Sequence, residues 1–164
     1  MYDIEPITTP KSTGCGPACL AMVLKYYGEE TGLDALIEER PVTVAGWTGK
    51  DILEVGRAHG LNMLAYRMDA EELMQQDRPA IVWWLYGHYV VFAGKDEQGQ
   101  VVICNPGRGR YRISADVFKS FYSGISFWNG EPQPLPDEPP TDWGERIAAL
   151  EDELAAAKII LGVE

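Results

Sequence analysis

Cys15, His88 and Asn105 are residue types that together can form a nucleophile, move a proton and hold the base that moves it. Each sits where the local sequence suits that work. Cys15 lies in Gly14-Cys15-Gly16-Pro17-Ala18-Cys19-Leu20, directly ahead of Ala21-Met22-Val23-Leu24-Lys25-Tyr26-Tyr27-Gly28. Pro17 suits a first helical turn, where a missing N–H costs nothing. Leu20, Val23, Leu24 and Tyr27 recur at helical spacing, so residues 16–28 read as a helix with a face to bury, stopped by Gly28. A thiol at the N-terminus of that helix feels the positive end of the macrodipole, which favours thiolate. The plainer alternative is a small buried cysteine with no chemistry.

Candidates for a base are few, because the chain has two histidines. His59 ends a predicted helix over 49–59, beside Gly60, and reads as a C-terminal cap or a solvent-facing residue. His88 follows Gly87 and lies between the apolar runs Ile81-Val82-Trp83-Trp84-Leu85 and Tyr89-Val90-Val91-Phe92. A polar ring in that context must find partners, as a base or as a satisfied structural histidine. Asn105 ends the run Val101-Val102-Ile103-Cys104. If 89–94 and 101–104 pair as a hairpin, Asn105 falls beside His88 and can accept its second ring N–H, fixing tautomer and orientation. Asn105-Pro106-Gly107 also reads simply as a turn. Cys19 lies one helical turn beyond Cys15 and reads as core. Strand alternation turns Cys104 to the face opposite Asn105. A zinc site from Cys15, Cys19, His88 and Cys104 has poor ligand spacing, so neither metal nor cofactor is expected.

The elements that must position these residues follow from the patterning. Residues 1–14 read as extended, broken by Pro6 and Pro10. Helices are predicted over 33–39, 49–59 and 69–76, the last with Asp69 as N-cap, and a strand over 61–67. Strands then follow over 79–86, 89–94, 101–104, 110–113 and 125–128, with a short helix over 114–121 and a hairpin turn at Asp96-Glu97-Gln98-Gly99. Helices first and an antiparallel sheet second is the α+β class, its two halves meeting along one cleft. Trp47, Trp83 and Trp84 are expected in the core or the cleft wall. Five prolines make 129–141 a stiff linker after a domain over 1–128. In 142–164, Ile147, Leu150, Leu154, Ala157 and Leu161 form a coiled-coil stripe for docking, self-association or a partner helix.

Composition removes several function classes. The net charge of −11 argues against sequence-independent nucleic-acid binding, because phosphates would be repelled. Met1-Tyr2-Asp3-Ile4-Glu5-Pro6 has no signal-peptide pattern, and no apolar run approaches membrane-spanning length, so no membrane insertion is expected. Three cysteines without a secretory signal point to free thiols in a reducing compartment, the cytoplasm.

The segment from Gly14 to Gly28 resembles the nucleophile segment of bacteriocin-processing, double-glycine leader peptidases, which are papain-like cysteine proteases. Gly87-His88-Tyr89-Val90-Val91 resembles their base motif, and Val102-Ile103-Cys104-Asn105-Pro106 the strand carrying their orienter, usually Asp-Pro. Trp47-Thr48-Gly49 through Gly60-Leu61, and on to Arg78-Pro79-Ala80-Ile81, shares the family's rhythm, so the likeness covers roughly 8–128. It implies a papain-like fold, a peptide or protein substrate, cleavage at Gly-rich sites and a bacterial or phage setting. It also implies Cys15 as nucleophile, His88 as base and Asn105 as orienter.

The chain departs from that family pattern in two places. Where the family has a Gln whose amide completes the oxyanion hole, this chain has Thr9, with Ser12 and Thr13 as substitutes within reach. A lost donor of that kind typically costs about 10²–10³ in rate. The second departure is the linker and terminal helix in place of a transporter, so the leader-export role is not expected to carry over. A stand-alone cysteine peptidase is the leading expectation. A catalytically weakened module of the same fold, binding or assembling peptides or proteins, is the alternative.

Overall fold

The computed structural model describes residues 1–130. In chain order these form a 3-10 turn (Ser12–Gly14), helices α1 (Cys15–Tyr26), α2 (Leu33–Glu39) and α3 (Gly49–Ala58), and strand β1 (Met63–Arg67). Helix α4 (Ala70–Met74) follows, then strands β2 (Ala80–Trp84), β3 (His88–Lys95), β4 (Val101–Asn105) and β5 (Gly109–Ile113), helix α5 (Ala115–Phe121) and strand β6 (Tyr122–Asn129). Strand β6 closes with Asn129 opposite Met63. The rest of the predicted linker, 131–141, and the predicted helix 142–164 lie outside the described residues.

Helix α1 is the centre of the fold. Every residue from Cys15 to Leu24 is buried, so over that stretch the helix is apolar all round, as a central helix must be, and only its last turn, Lys25 and Tyr26, reaches solvent. Gly28 ends the turn after it with φ of 89°, a conformation that glycine adopts without steric cost. Helices α3 and α4 begin with capping boxes, Thr48 with Asp51 and Asp69 with Glu72, so the N-cap and third-residue N–H groups at each end have partners.

The sheet is antiparallel with strand order β1-β6-β2-β3-β4-β5. Chain order alone does not reveal that β6 returns to lie between β1 and β2. Alternation along the strands builds two cores. Ile81, Tyr89, Val91, Ala93, Val102 and Cys104 pack on the α1 side. Val82, Val90, Phe92, Val101 and Ile103 pack on the other side, under Leu73 of α4 and Phe118 of α5. Both faces of β2–β4 are therefore covered, which is why these strands read as unbroken apolar runs.

The N-terminal segment is strapped down rather than loose. The Tyr2 N–H donates to Ala93 O at 2.8 Å, and the Arg110 guanidinium donates to Ile4 O at 2.9 Å and Tyr2 O at 3.2 Å. The Thr9 N–H donates to Pro106 O at 2.8 Å, which pins the approach to α1 against the end of β4. From there the 3-10 turn runs straight into α1, a feature the proline-broken sequence conceals. Among the described residues, no helix is long and apolar enough to cross a membrane.

Candidate active site

Cys15 is the first residue of α1, where helical N–H groups point outward without intrahelical partners. It is 7% exposed. Burial pushes its thiol up. A hydrogen bond from the His88 ring, the backbone amides of Tyr89 and Gly16, and the charge of His88 outweigh burial and hold it below the ordinary thiol value. His88 opens β3, after a turn closed by the Gly87 N–H donating to Trp84 O at 3.0 Å. Gly87 takes φ of 75° there. The bond to Cys15 raises the His88 pKa, burial opposes it, and the bond to Asn105 raises it further. Both directions favour thiolate and imidazolium facing each other.

Asn105 ends β4. The β3–β4 register pairs Val91 with Cys104 and Phe92 with Ile103, so one step further brings Asn105 to the end where His88 begins. Asn105 Oδ1 lies 3.0 Å from His88 Nε2 and also accepts the Gly107 N–H at 2.8 Å. A backbone N–H can only donate, so the amide end it meets is the oxygen. The ring nitrogen beside that oxygen therefore carries hydrogen, which leaves Nδ1 for the sulfur. The Arg108 N–H donates to Asn105 O at 3.0 Å, so residues 105–108 are a turn as well. The turn reading of Asn-Pro-Gly holds, and the same Asn105 side chain that closes the turn faces the His88 ring.

These residues face a cleft of about 280 Å³ lined by Thr9, Pro10, Lys11, Ser12, Cys15, His88, Pro106 and Gly107. Of the three hydroxyls considered beside the thiol, Thr9 and Ser12 line this cleft. Thr13 lines a second cavity of about 280 Å³ with Ile37, Pro41 and Val42. Thr9 Oγ1 accepts the Lys11 N–H at 3.3 Å.

The other singled-out residues fall elsewhere. Cys19 is fully buried, and burial pushes its thiol well up. Cys104 is buried on the α1 face, opposite Asn105, with its Sγ donating to Ile4 O at 3.6 Å. Burial raises its pKa against the pull of Arg110. His59 caps α3, as expected, and is half-buried, with both ring nitrogens engaged. Its Nδ1 lies 3.2 Å from Thr31 Oγ1 and its Nε2 lies 2.7 Å from Glu39 Oε2. Trp47 is core, its Nε1 donating to Arg40 O at 3.1 Å. Trp83 packs on Tyr89 with centroids 4.3 Å apart, and Trp84 presents an edge contact to His88 at 6.3 Å.

Sequence reading missed the backbone amides of Tyr89 and Gly107 and the side chain of Tyr111. The last was legible in principle, since a hairpin around Asn105–Gly109 places Tyr111 diagonal to Asn105.

The model of the Peptidase C39 family matches residues 4–129. The chain belongs to the peptidase C39 family. Among solved structures, it is similar to a double glycine motif protease from an AMS/PCAT transporter in complex with the leader peptide. That likeness has 28% identity and a TM-score of 0.72, covering 77% of this chain and 90% of that one. The architecture described above is thus the papain-like C39 fold. The chain is also 27% identical over 129 residues to the colicin V secretion/processing ATP-binding protein CvaB of Escherichia coli. The match covers 77% of this chain and 18% of CvaB, so the C39 chain spans about a fifth of that relative's length. An uncharacterized protein of Methanothermobacter marburgensis is 26% identical over 122 residues, covering 73% of this chain and 85% of its own. Relatives of this chain thus include a protein of much the same length as well as much longer ones.

Proposed function

We propose that this chain is a cysteine peptidase in which the Cys15 thiolate is the nucleophile, His88 the acid and base, and Asn105 the orienter. The observation that carries this reading is the Cys15–His88 pair, shifted in complementary directions at the floor of a cleft. The sulfur attacks a peptide carbonyl, and the oxyanion that forms meets the backbone N–H of Cys15 at the start of α1. The Ser12 and Thr9 hydroxyls line the same cleft and are the nearest candidates for a second donor. His88 gives its proton to the leaving amine, leaving a thioester on Cys15. The neutral ring then takes a proton from water as hydroxide attacks that thioester, and the acid product and the ion pair are restored.

The substrate class is a peptide. A solved relative holds a leader peptide and is described as a double glycine motif protease, which supports a Gly-Gly site for this chain too. A weakened, binding-only module is favoured by one observation, the hydroxyl of Thr9 where an amide donor is usual. Cys15 and His88 share one cleft, with Asn105 hydrogen-bonded to the far side of the His88 ring, which speaks against it.

The test is cleavage of a synthetic peptide carrying a leader that ends in Gly-Gly, followed by mass spectrometry on the full chain. Cleavage after the second glycine is expected in the wild type, lost in Cys15→Ala and largely kept in Cys19→Ala. Cleavage that persists in Cys15→Ala would overturn the proposal.

A further inference from the structure

We infer that Tyr111 is a positioning residue of this site, its hydroxyl holding the outer end of the Asn105 carboxamide and so the ring of His88. The inference rests on the reading of Cys15, His88 and Asn105 given above, and adds a fourth member that touches neither the thiol nor the cleft.

Asn105 needs help to keep its orientation. Its last torsion joins an sp³ to an sp² carbon, and such torsions are broad, so the side chain has no intrinsic preference for the plane His88 requires. The oxygen end is held by the Gly107 N–H and faces His88 Nε2. The nitrogen end donates to Tyr111 Oη at 3.2 Å. Asn105 is 9% exposed, so there is little water to replace that partner. With both ends tied, Oδ1 cannot swing away from the ring. With the oxygen end alone, rotation about Cβ–Cγ can break the bond to Nε2.

The strand register explains why Tyr111 supplies the contact. β4 and β5 pair Asn105 with Gly109 and Ile103 with Tyr111. The residue directly opposite Asn105 therefore has no side chain, and its φ of 84° suits glycine. Tyr111 is the diagonal neighbour on the same face, within reach for a long ring. The Arg108 guanidinium sits 4.7 Å from the Tyr111 ring centroid and caps the ring from the turn that Asn105 itself opens.

Tyr111→Phe keeps the ring and removes only the hydroxyl. The experiment compares wild type, Tyr111→Phe, Asn105→Ala, the double variant and His88→Ala, all as the full chain. It measures the pH profile of Cys15 alkylation by iodoacetamide and the kcat and KM of peptide cleavage. Tyr111→Phe is expected to move the alkylation midpoint to higher pH and lower kcat by about 3–10-fold, the usual effect of losing one hydrogen bond. KM is expected to stay put, because Tyr111 does not line the cleft. In the Asn105→Ala background, Tyr111→Phe is expected to change neither quantity further, since its effect passes through Asn105. A wild-type profile in Tyr111→Phe would overturn the inference. So would an equal loss with and without the Asn105 side chain, the mark of a merely structural role. Failure of the underlying reading looks different: His88→Ala would leave the Cys15 profile unmoved, and the role of Tyr111 would fall with it.

Discussion

Replacing His88 with alanine removes the hydrogen bond and the charge that hold the Cys15 thiol below its ordinary value of 9.0, and leaves the burial that pushes it up. A hydrogen bond to a charged group is worth about 1.5–3 kcal/mol, and one pKa unit corresponds to about 1.4 kcal/mol. The thiol pKa should therefore rise by about 1–2 units, and the thiolate fraction at pH 6 should fall about 10–100-fold. A more basic thiolate is also a better nucleophile, with a sensitivity of about 0.4–0.5 per pKa unit, which returns roughly 3–10-fold. The net fall in the rate of exchange with a dipyridyl disulfide at pH 6 is then about 3–10-fold. The two profiles should cross, the variant reacting faster above its own midpoint. Stopped-flow absorbance of the released thiopyridone reads this directly. The signal belongs to one residue, because Cys19 and Cys104 are fully buried with thiols pushed up. Overlaid wild-type and variant profiles would refute the claim that His88 activates Cys15.

Further expectations follow from the same geometry. The kcat/KM for cleavage should be bell-shaped in pH. It rises as Cys15 ionises below its ordinary 9.0 and falls as His88 loses its proton above its ordinary 6.5. Asn105→Ala should pull the alkaline limb down, because the bond to Asn105 is one of the causes raising His88. Thr9→Gln places an amide donor in the cleft from a backbone already pinned to Pro106, and should raise kcat by about 10-fold or more with little change in KM. A kcat at or below wild type would mean that the hydroxyls already complete the hole. Gly16→Ala sets a Cβ 2.8 Å from Trp47 Cβ, and should cost about 1–3 kcal/mol in urea unfolding while slowing Cys15. An unchanged urea midpoint would contradict that packing.

Much of the site was readable because its parts sit at element ends, where local sequence is most explicit. Pro17 and Gly28 bracket α1, Gly87 turns the chain into β3, and Asn-Pro-Gly stops β4. The hairpin register then makes Asn105 and His88 neighbours without further information. What stayed hidden depends on long-range pairing. Nothing local tells β6 to lie between β1 and β2. The sheet face under α4 and α5 is equally silent, because a strand buried on both sides loses its alternation. Ser12–Gly14 reads as irregular since three residues carry no period, yet that turn leads directly into Cys15 at the start of α1. Thr9 and Ser12 share the cleft while Thr13 does not, a difference set by the 3-10 turn and beyond the resolution of spacing alone.

The charge state of His88 can be observed directly, because the chain has two histidines and their ring nitrogens resolve in a long-range ¹⁵N–¹H NMR spectrum. Titrating the wild type and Cys15→Ala from pH 5 to 10 decides whether sulfur and ring form an ion pair. The expected result is an imidazolium at His88 that persists above the ordinary 6.5 in the wild type and loses that persistence in Cys15→Ala. A His88 ring that is neutral near pH 7, with a titration indifferent to the loss of the Cys15 thiol, would contradict the pairing on which the catalytic reading stands.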